Sequence, residues 1–177
     1  MSCRDLIALF CVFSLTLSAG ASFAQDKTQI KHKLGAKTVT IAKPDGWVIA
    51  KSPRGSIGLF RAAGDKTSQI EIKFTPAVTK KQQVRYFQTF HTSLQKMGLK
   101  PMAAASTPAK SLSSAKGFTD VAEKEYELKS NGKDFRMIVV QGYREGGVWM
   151  VIGFFPTAAR TTHYETMQKV LAGVAVK

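Results

Sequence analysis

Three histidines, His32, His91 and His163, are the residues best suited to general acid–base work or metal ligation near neutral pH. No two of them fall at a spacing that would bring both onto one metal ion, so a zinc or iron site is not expected. His91 follows Phe90 in an amphipathic stretch, where a boundary position with its polar atoms satisfied is the expected role. A hydrolase or other enzyme with a site around His91 or His163 is the alternative, and it would need a carboxylate and a hydroxyl within hydrogen-bond reach of the ring. Neither a Gly-x-Ser-x-Gly elbow nor a phosphate-binding glycine loop occurs. Glu123, Glu125 and Glu127, with Asp120, offer oxygen ligands of the kind that hold a hard cation. Their spacing matches no known ligand loop, and a solvated strand face is the simpler expectation. No catalytic residue, cofactor or metal is therefore assigned.

Charge is the stronger chemical signal. The chain of 177 residues has a formal net charge of +14 and a pI of about 10.0. From Gln25 to Lys100 there are fifteen Lys and Arg against four acids, and from Pro101 to Lys177 ten against seven. An excess of this size favours anionic partners and makes their binding depend on salt. The expected partner-binding residues are Lys31, Lys33, Lys37, Lys80, Lys81 and Arg85, engaging an anionic envelope component or an acidic protein. Tyr126, Tyr143 and Trp149 interleave with Lys124, Arg136 and Arg144, a mixture that nucleic-acid-binding sheets also show. No nucleic-acid motif accompanies them, and export makes that partner unexpected.

Export is read from Met1 to Ala24, which carry a short start with Arg4, an apolar run from Leu6 to Leu17 and small residues before Ala24. This is the pattern of a secretory signal peptide. The expected address is the periplasm, with secretion or an N-terminal membrane anchor as alternatives. The run is short of the roughly 20 residues a spanning helix needs, and no later stretch is apolar enough for an integral membrane segment. Cys3 and Cys11, the two cysteines of the chain, both lie in this leader, so the remainder has no thiol or disulfide. Phe10 precedes Cys11 where lipid attachment requires a small residue. Residues 25–177 are long enough for one domain that buries about 70% of its unfolded surface.

The elements that would position these residues are mainly strands. Ser130-Asn131-Gly132-Lys133 is a type I′ hairpin signature, and a two-residue loop of that kind sets Lys129 opposite Asp134, Leu128 opposite Phe135, Glu127 opposite Arg136 and Tyr126 opposite Met137. The segments from Phe135 to Tyr143 and from Val148 to Phe155 are apolar at odd and even positions, as central strands covered on both faces are. Thr119 to Pro156 is thus read as a three-stranded meander. Upstream, Gln25 to His32 is expected to be loose, Lys37 to Lys43 to form a strand, and Pro44-Asp45-Gly46 a turn delivering Trp47 into the core. Ile57 to Arg61 and Gln69 to Thr75 are further strands.

Thr79 and Gln82 form a capping-box signature for a helix whose apolar stripe is Val84, Phe87, Phe90, Leu94 and Met97, stopped by Gly98. Lys100 to Gly117 is expected to be extended and then looped. Thr162 with Glu165 marks a second capping box before a helix bearing Tyr164, Met167 and Leu171, stopped by Gly173.

The Ile41-Ala42-Lys43-Pro44-Asp45-Gly46-Trp47 segment, a basic helix after two more strands, and a meander closed by Phe154-Phe155-Pro156 and a helix resemble the PsbP and DcrB-like superfamily. The resemblance covers the chain after the leader. It implies an α+β fold with an antiparallel sheet flanked by helices on both faces, an α/β/α sandwich. It also implies a non-enzymatic accessory or binding protein, with no catalytic set to carry over.

Overall fold

A computed structural model describes residues 28–103, 117–144 and 146–177, with Lys80 described by its backbone alone. The leader, the start of the N-terminal segment and most of the Ala- and Ser-rich stretch before Gly117 lie outside the described residues. The strands are β1 (Gln29–Leu34), β2 (Lys37–Ala42), β3 (Trp47–Ile49), β4 (Ser56–Ala62) and β5 (Gln69–Pro76), then β6 (Lys100–Pro101), β7 (Thr119–Ser130), β8 (Lys133–Arg144), β9 (Gly147–Pro156) and β10 (Ala175–Val176). Helix α1 spans Lys80–Lys96 and helix α2 spans Arg160–Ala172. The architecture is α+β with antiparallel sheets.

Seven strands form one sheet in the order β3-β4-β5-β9-β8-β7-β6, and β1, β2 and β10 form a second. The meander is present with the expected register: Lys129, Leu128, Glu127 and Tyr126 face Asp134, Phe135, Arg136 and Met137. Asn131 and Gly132 have φ of 50° and 71°, the two positive values a type I′ turn needs. β8 and β9 stand inside the sheet, as their two-faced apolar pattern requires.

Strand alternation divides the buried residues into two clusters. Met137, Val139, Val148, Met150 and Ile152 point to one face and meet Phe87 and Leu94 of α1. Ile138, Val140, Trp149 and Val151 point to the other and meet Met167, Val170 and Leu171 of α2, together with Val39 and Ile41 of β2. Trp47 is buried in this second cluster, as the preceding turn predicts.

Four expectations are corrected. Gln29 to His32 are not loose but belong to β1, because Ile30 and Leu34 alternate with exposed residues and pack against the core. The buried stripe of α1 is Gln83, Phe87, His91 and Leu94, while Val84 is 62% exposed. Those positions are four, four and three residues apart, which is equally helical, and polar partners on the sheet make burial of Gln83 and His91 tolerable. The second capping box does not form: α2 starts at Arg160, led in by a 3-10 turn over Thr157–Ala159, with Ala159 as the cap and no side-chain bond. Finally, the Glu face of β7 is solvated only in part: Glu127 is exposed, but Glu123 and Glu125 are half-buried where Tyr164 and Arg160 of α2 pack against them. By contrast the Thr79–Gln82 capping box is made in both directions, and Gly98, with φ of 91°, ends α1.

Candidate functional site

The sequence offers three sets of chemistry-bearing residues: the fold builds the first two into the contacts between helices and sheet and spreads the third over the surface. The first is the seam between α1 and the sheet. His91 is 5% exposed, and its Nδ1 meets the Tyr126 hydroxyl of β7 while its Nε2 meets the side-chain amide of Gln141 on β8. A neutral imidazole has one donor and one acceptor nitrogen, so these two partners use both. Burial, with the positive Lys124 nearby, lowers the His91 pKa to about 4, and burial pushes Tyr126 up to about 12. Two turns toward the start of α1, the Gln83 amide donates to the Asp120 carbonyl at 3.2 Å. Asp120 has a φ of 53° at the irregularity between Thr119 and Ala122, so Gln83 ties the helix to the one place where β7 leaves its ladder. His91 is therefore not a boundary residue. It faces the core with both nitrogens committed and is placed as a neutral bridge between helix and sheet, with no carboxylate bonded to it among the described residues.

The second set is the row of acids on β7. The Arg160 guanidinium of α2 donates to both carboxylate oxygens of Glu125, at 3.2 and 2.6 Å, and lies 4.7 Å from the Tyr164 ring centroid. Tyr164 donates its hydroxyl to Glu123 at 2.7 Å. Arg136 reaches Glu127 at 3.2 Å, the cross-strand pair that the hairpin register requires, and comes within 3.9 Å of Glu125. Burial raises the Glu123 pKa in spite of the Tyr164 hydrogen bond and the Arg160 charge, and it pushes Tyr164 up to about 12. The hydrogen bond to Glu125 raises Arg160 against the effect of burial. These acids are thus taken up by arginines and a hydroxyl that fasten α2 to the sheet. No group of three metal-ligating side chains is found among the described residues. His163 lies edge-on to Trp47 at 5.1 Å between centroids and beside Phe155, and burial lowers its pKa against the pull of Asp65.

The third set is the basic residues. Lys31 and Lys33 are exposed on one face of β1, while Lys37 sits at the start of β2 in register with Leu34, on the alternate face. Lys81 and Arg85 are exposed on α1, and the Lys80 side chain lies outside the described residues. β1 and β2 pack in the cluster that contains Ile138 and Val140, and α1 in the one that contains Met137 and Val139. The structure therefore does not bring the described residues of this set into one patch: the β1 pair and the α1 pair lie on opposite sides of the large sheet. The aromatic residues that suggested stacking also fall away, because Tyr126 and Trp149 are each 1% exposed. Sequence reasoning missed Gln83, Gln141 and Arg160; the single available signal was the polar residue one helical repeat on either side of Phe87.

No protein-family model matches the chain, and no curated protein matches it in sequence. Solved structures do. The crystal structure of LpqN, involved in cell envelope biogenesis of Mycobacterium tuberculosis, is similar at 13% identity and a TM-score of 0.56, over 84% of this chain and 90% of LpqN. A Bacteroides thetaiotaomicron protein is similar at 13% identity and a TM-score of 0.50, and this chain spans 45% of its length while 78% of this chain is covered. The solution structure of cyanobacterial PsbP from Synechocystis aligns over 90% of this chain and 99% of its own at 9% identity, with a TM-score of 0.46. At these identities the likeness to LpqN and to the Bacteroides protein is one of fold alone.

Proposed function

We propose that the protein is an exported, non-enzymatic accessory or binding protein of the cell envelope, acting in the periplasm as one α/β/α domain over residues 25–177. It engages an anionic envelope component or an acidic protein through exposed basic residues. The observation that carries this reading is the contrast between the two kinds of charge. Glu123, Glu125 and Glu127 are spent on Tyr164, Arg160 and Arg136, whereas Lys31, Lys33, Lys81 and Arg85 stand exposed without an ion pair among the described residues. With those acids taken up inside the molecule, the exposed basic residues attract anions over about one Debye length, roughly 10 Å at 0.1 M salt and 30 Å at 0.01 M. The fold likeness to an envelope-biogenesis protein supports the same address. The committed ring nitrogens of His91 argue against its use as a general base.

Two measurements test the reading. Fractionation should recover the protein outside the cytoplasm without Met1 to Ala24; full-length cytoplasmic protein would overturn the address. A pull-down from envelope extract, run at low and high salt, should retain an anionic partner only at low salt. Substituting Lys31, Lys33, Lys81 and Arg85 together by Gln should abolish that retention. Retention unchanged by both salt and the substitutions would refute the charge-based reading.

A further inference from the structure

Four strands stand at the ends of the two sheets, and three of them are short: β3 has three residues, and β6 and β10 have two each. β1 has six. Short ends are the usual protection against unwanted strand pairing, so the long one stands out. Its polar backbone groups can be assigned from its neighbour. Thr38 of β2 exchanges both of its backbone hydrogen bonds with Lys177, at 2.7 and 3.1 Å, so its N–H and C=O point toward β10. Along an antiparallel strand these directions alternate, hence Val39 and Ile41 point toward β1 and bond their register partners His32 and Ile30. The Lys43 N–H donating to the Thr28 carbonyl at 2.8 Å continues the same series. The backbone N–H and C=O groups of Gln29, Lys31 and Lys33 consequently face away from β2, and no described residue meets them.

The side chains decide what such an edge accepts. Lys31 and Lys33 are exposed on its outer face, opposite Thr40 and Thr38, which neutralise neither. Between them His32 is half-buried on the inner face, flanked by Ile30 and Leu34 against the core. A strand added to this edge would place alternate residues opposite Lys31 and Lys33, at a Cβ separation of about 5.5 Å, and the residue between them on the inner side next to His32. A second copy of the chain pairing through β1 would set lysine against lysine, which is unfavourable.

We propose that β1 is a docking edge for an extended acidic segment of a partner protein, one that alternates carboxylate and apolar side chains and adds to the small sheet as its fourth strand. The backbone groups supply the hydrogen bonds, and the alternating side chains supply the selection. This rests on the reading of an acidic partner given above and narrows it to a surface.

The test uses the isotopically labelled full protein and three ten-residue probes at low salt: a peptide alternating Glu with Val, the same peptide with alternate backbone nitrogens methylated, and one alternating Lys with Val. The Glu peptide should slow amide exchange at Gln29, Lys31 and Lys33, whose N–H groups bond no described residue, and leave Ile30, His32 and Leu34 unchanged. The methylated and Lys peptides should fail. The double charge reversal Lys31→Glu with Lys33→Glu should weaken the Glu peptide roughly tenfold, the order two exposed ion pairs supply together, and admit the Lys peptide. Binding of the Glu peptide with effects centred on Lys81 and Arg85 would overturn the edge and leave the anionic-partner reading standing. No binding of the Glu peptide anywhere would overturn the edge and, with it, the acidic protein as the partner. Protection of the three amides that grows with protein concentration and needs no peptide would replace the partner by a second copy.

Discussion

Because His91 is buried between Tyr126 and Gln141 with the positive Lys124 nearby, its protonation should oppose folding, and the size of the effect follows from the structure. The ring titrates near 6.5 when the chain is unfolded and at about 4 when folded. The unfolded chain therefore takes up the proton first. Stability is full above pH 6.5, falls as the pH drops from 6.5 to 4, and changes no further below 4 on this account. At about 1.4 kcal/mol for each pH unit, the loss across the window is about 3 kcal/mol, a large share of the roughly 5–15 kcal/mol that holds a domain folded. Urea unfolding at pH 7, 6, 5 and 4 on the protein and on His91→Gln measures it. Titrations of Glu123, Asp65 and His163 are common to both proteins and cancel in the comparison. The stability advantage of the unsubstituted protein should shrink by about 3 kcal/mol between pH 7 and pH 4. An NMR titration of His91 should show the ring still neutral at pH 5. Parallel stability curves, or a His91 that titrates near 6.5 in the folded protein, would refute the buried bridge.

The stripe of α1 gives a second check by circular dichroism melts: Phe87→Ala should cost about 3–5 kcal/mol, and Val84→Gln, at a position 62% exposed, should stay within about 0.5 kcal/mol. Equal losses at the two positions would restore the stripe that includes Val84. Arg160→Met should cost about 1–3 kcal/mol, because it strips a half-buried carboxylate at Glu125 of a two-pronged partner, while Arg136→Met, which leaves Glu127 51% exposed, should cost less than about 1 kcal/mol. Gly147→Ala should destabilise by about 1–3 kcal/mol, since the added carbon would lie 2.6 Å from the Thr75 carbonyl oxygen and 2.5 Å from the Phe74 ring. An unchanged melting temperature there would show that β5 and β9 can move apart.

What the sequence by itself determined was local. Asn131-Gly132 admits the two positive φ values of one turn type, and that turn alone set four cross-strand pairs, including Glu127 with Arg136. Thr79 and Gln82, three positions apart, bond each other in both directions, so the start of α1 could be read without knowing what the helix packs against. The two-faced apolar pattern of β8 and β9 placed them inside the sheet for the same reason. Only the tertiary structure decided which side of α1 turns inward, because that depends on Tyr126 and Gln141, which are 35 and 50 residues from His91 and make its burial tolerable. It likewise decided that the acids of β7 would be met by Arg160 and Tyr164, that Gln29–Leu34 would be a strand, and that the basic residues would divide between the two sides of the large sheet. A periodic pattern states how residues on one element are spaced. It carries no information on which distant side chain will satisfy a buried polar atom, and burial of a polar atom is stable only once that partner is in place.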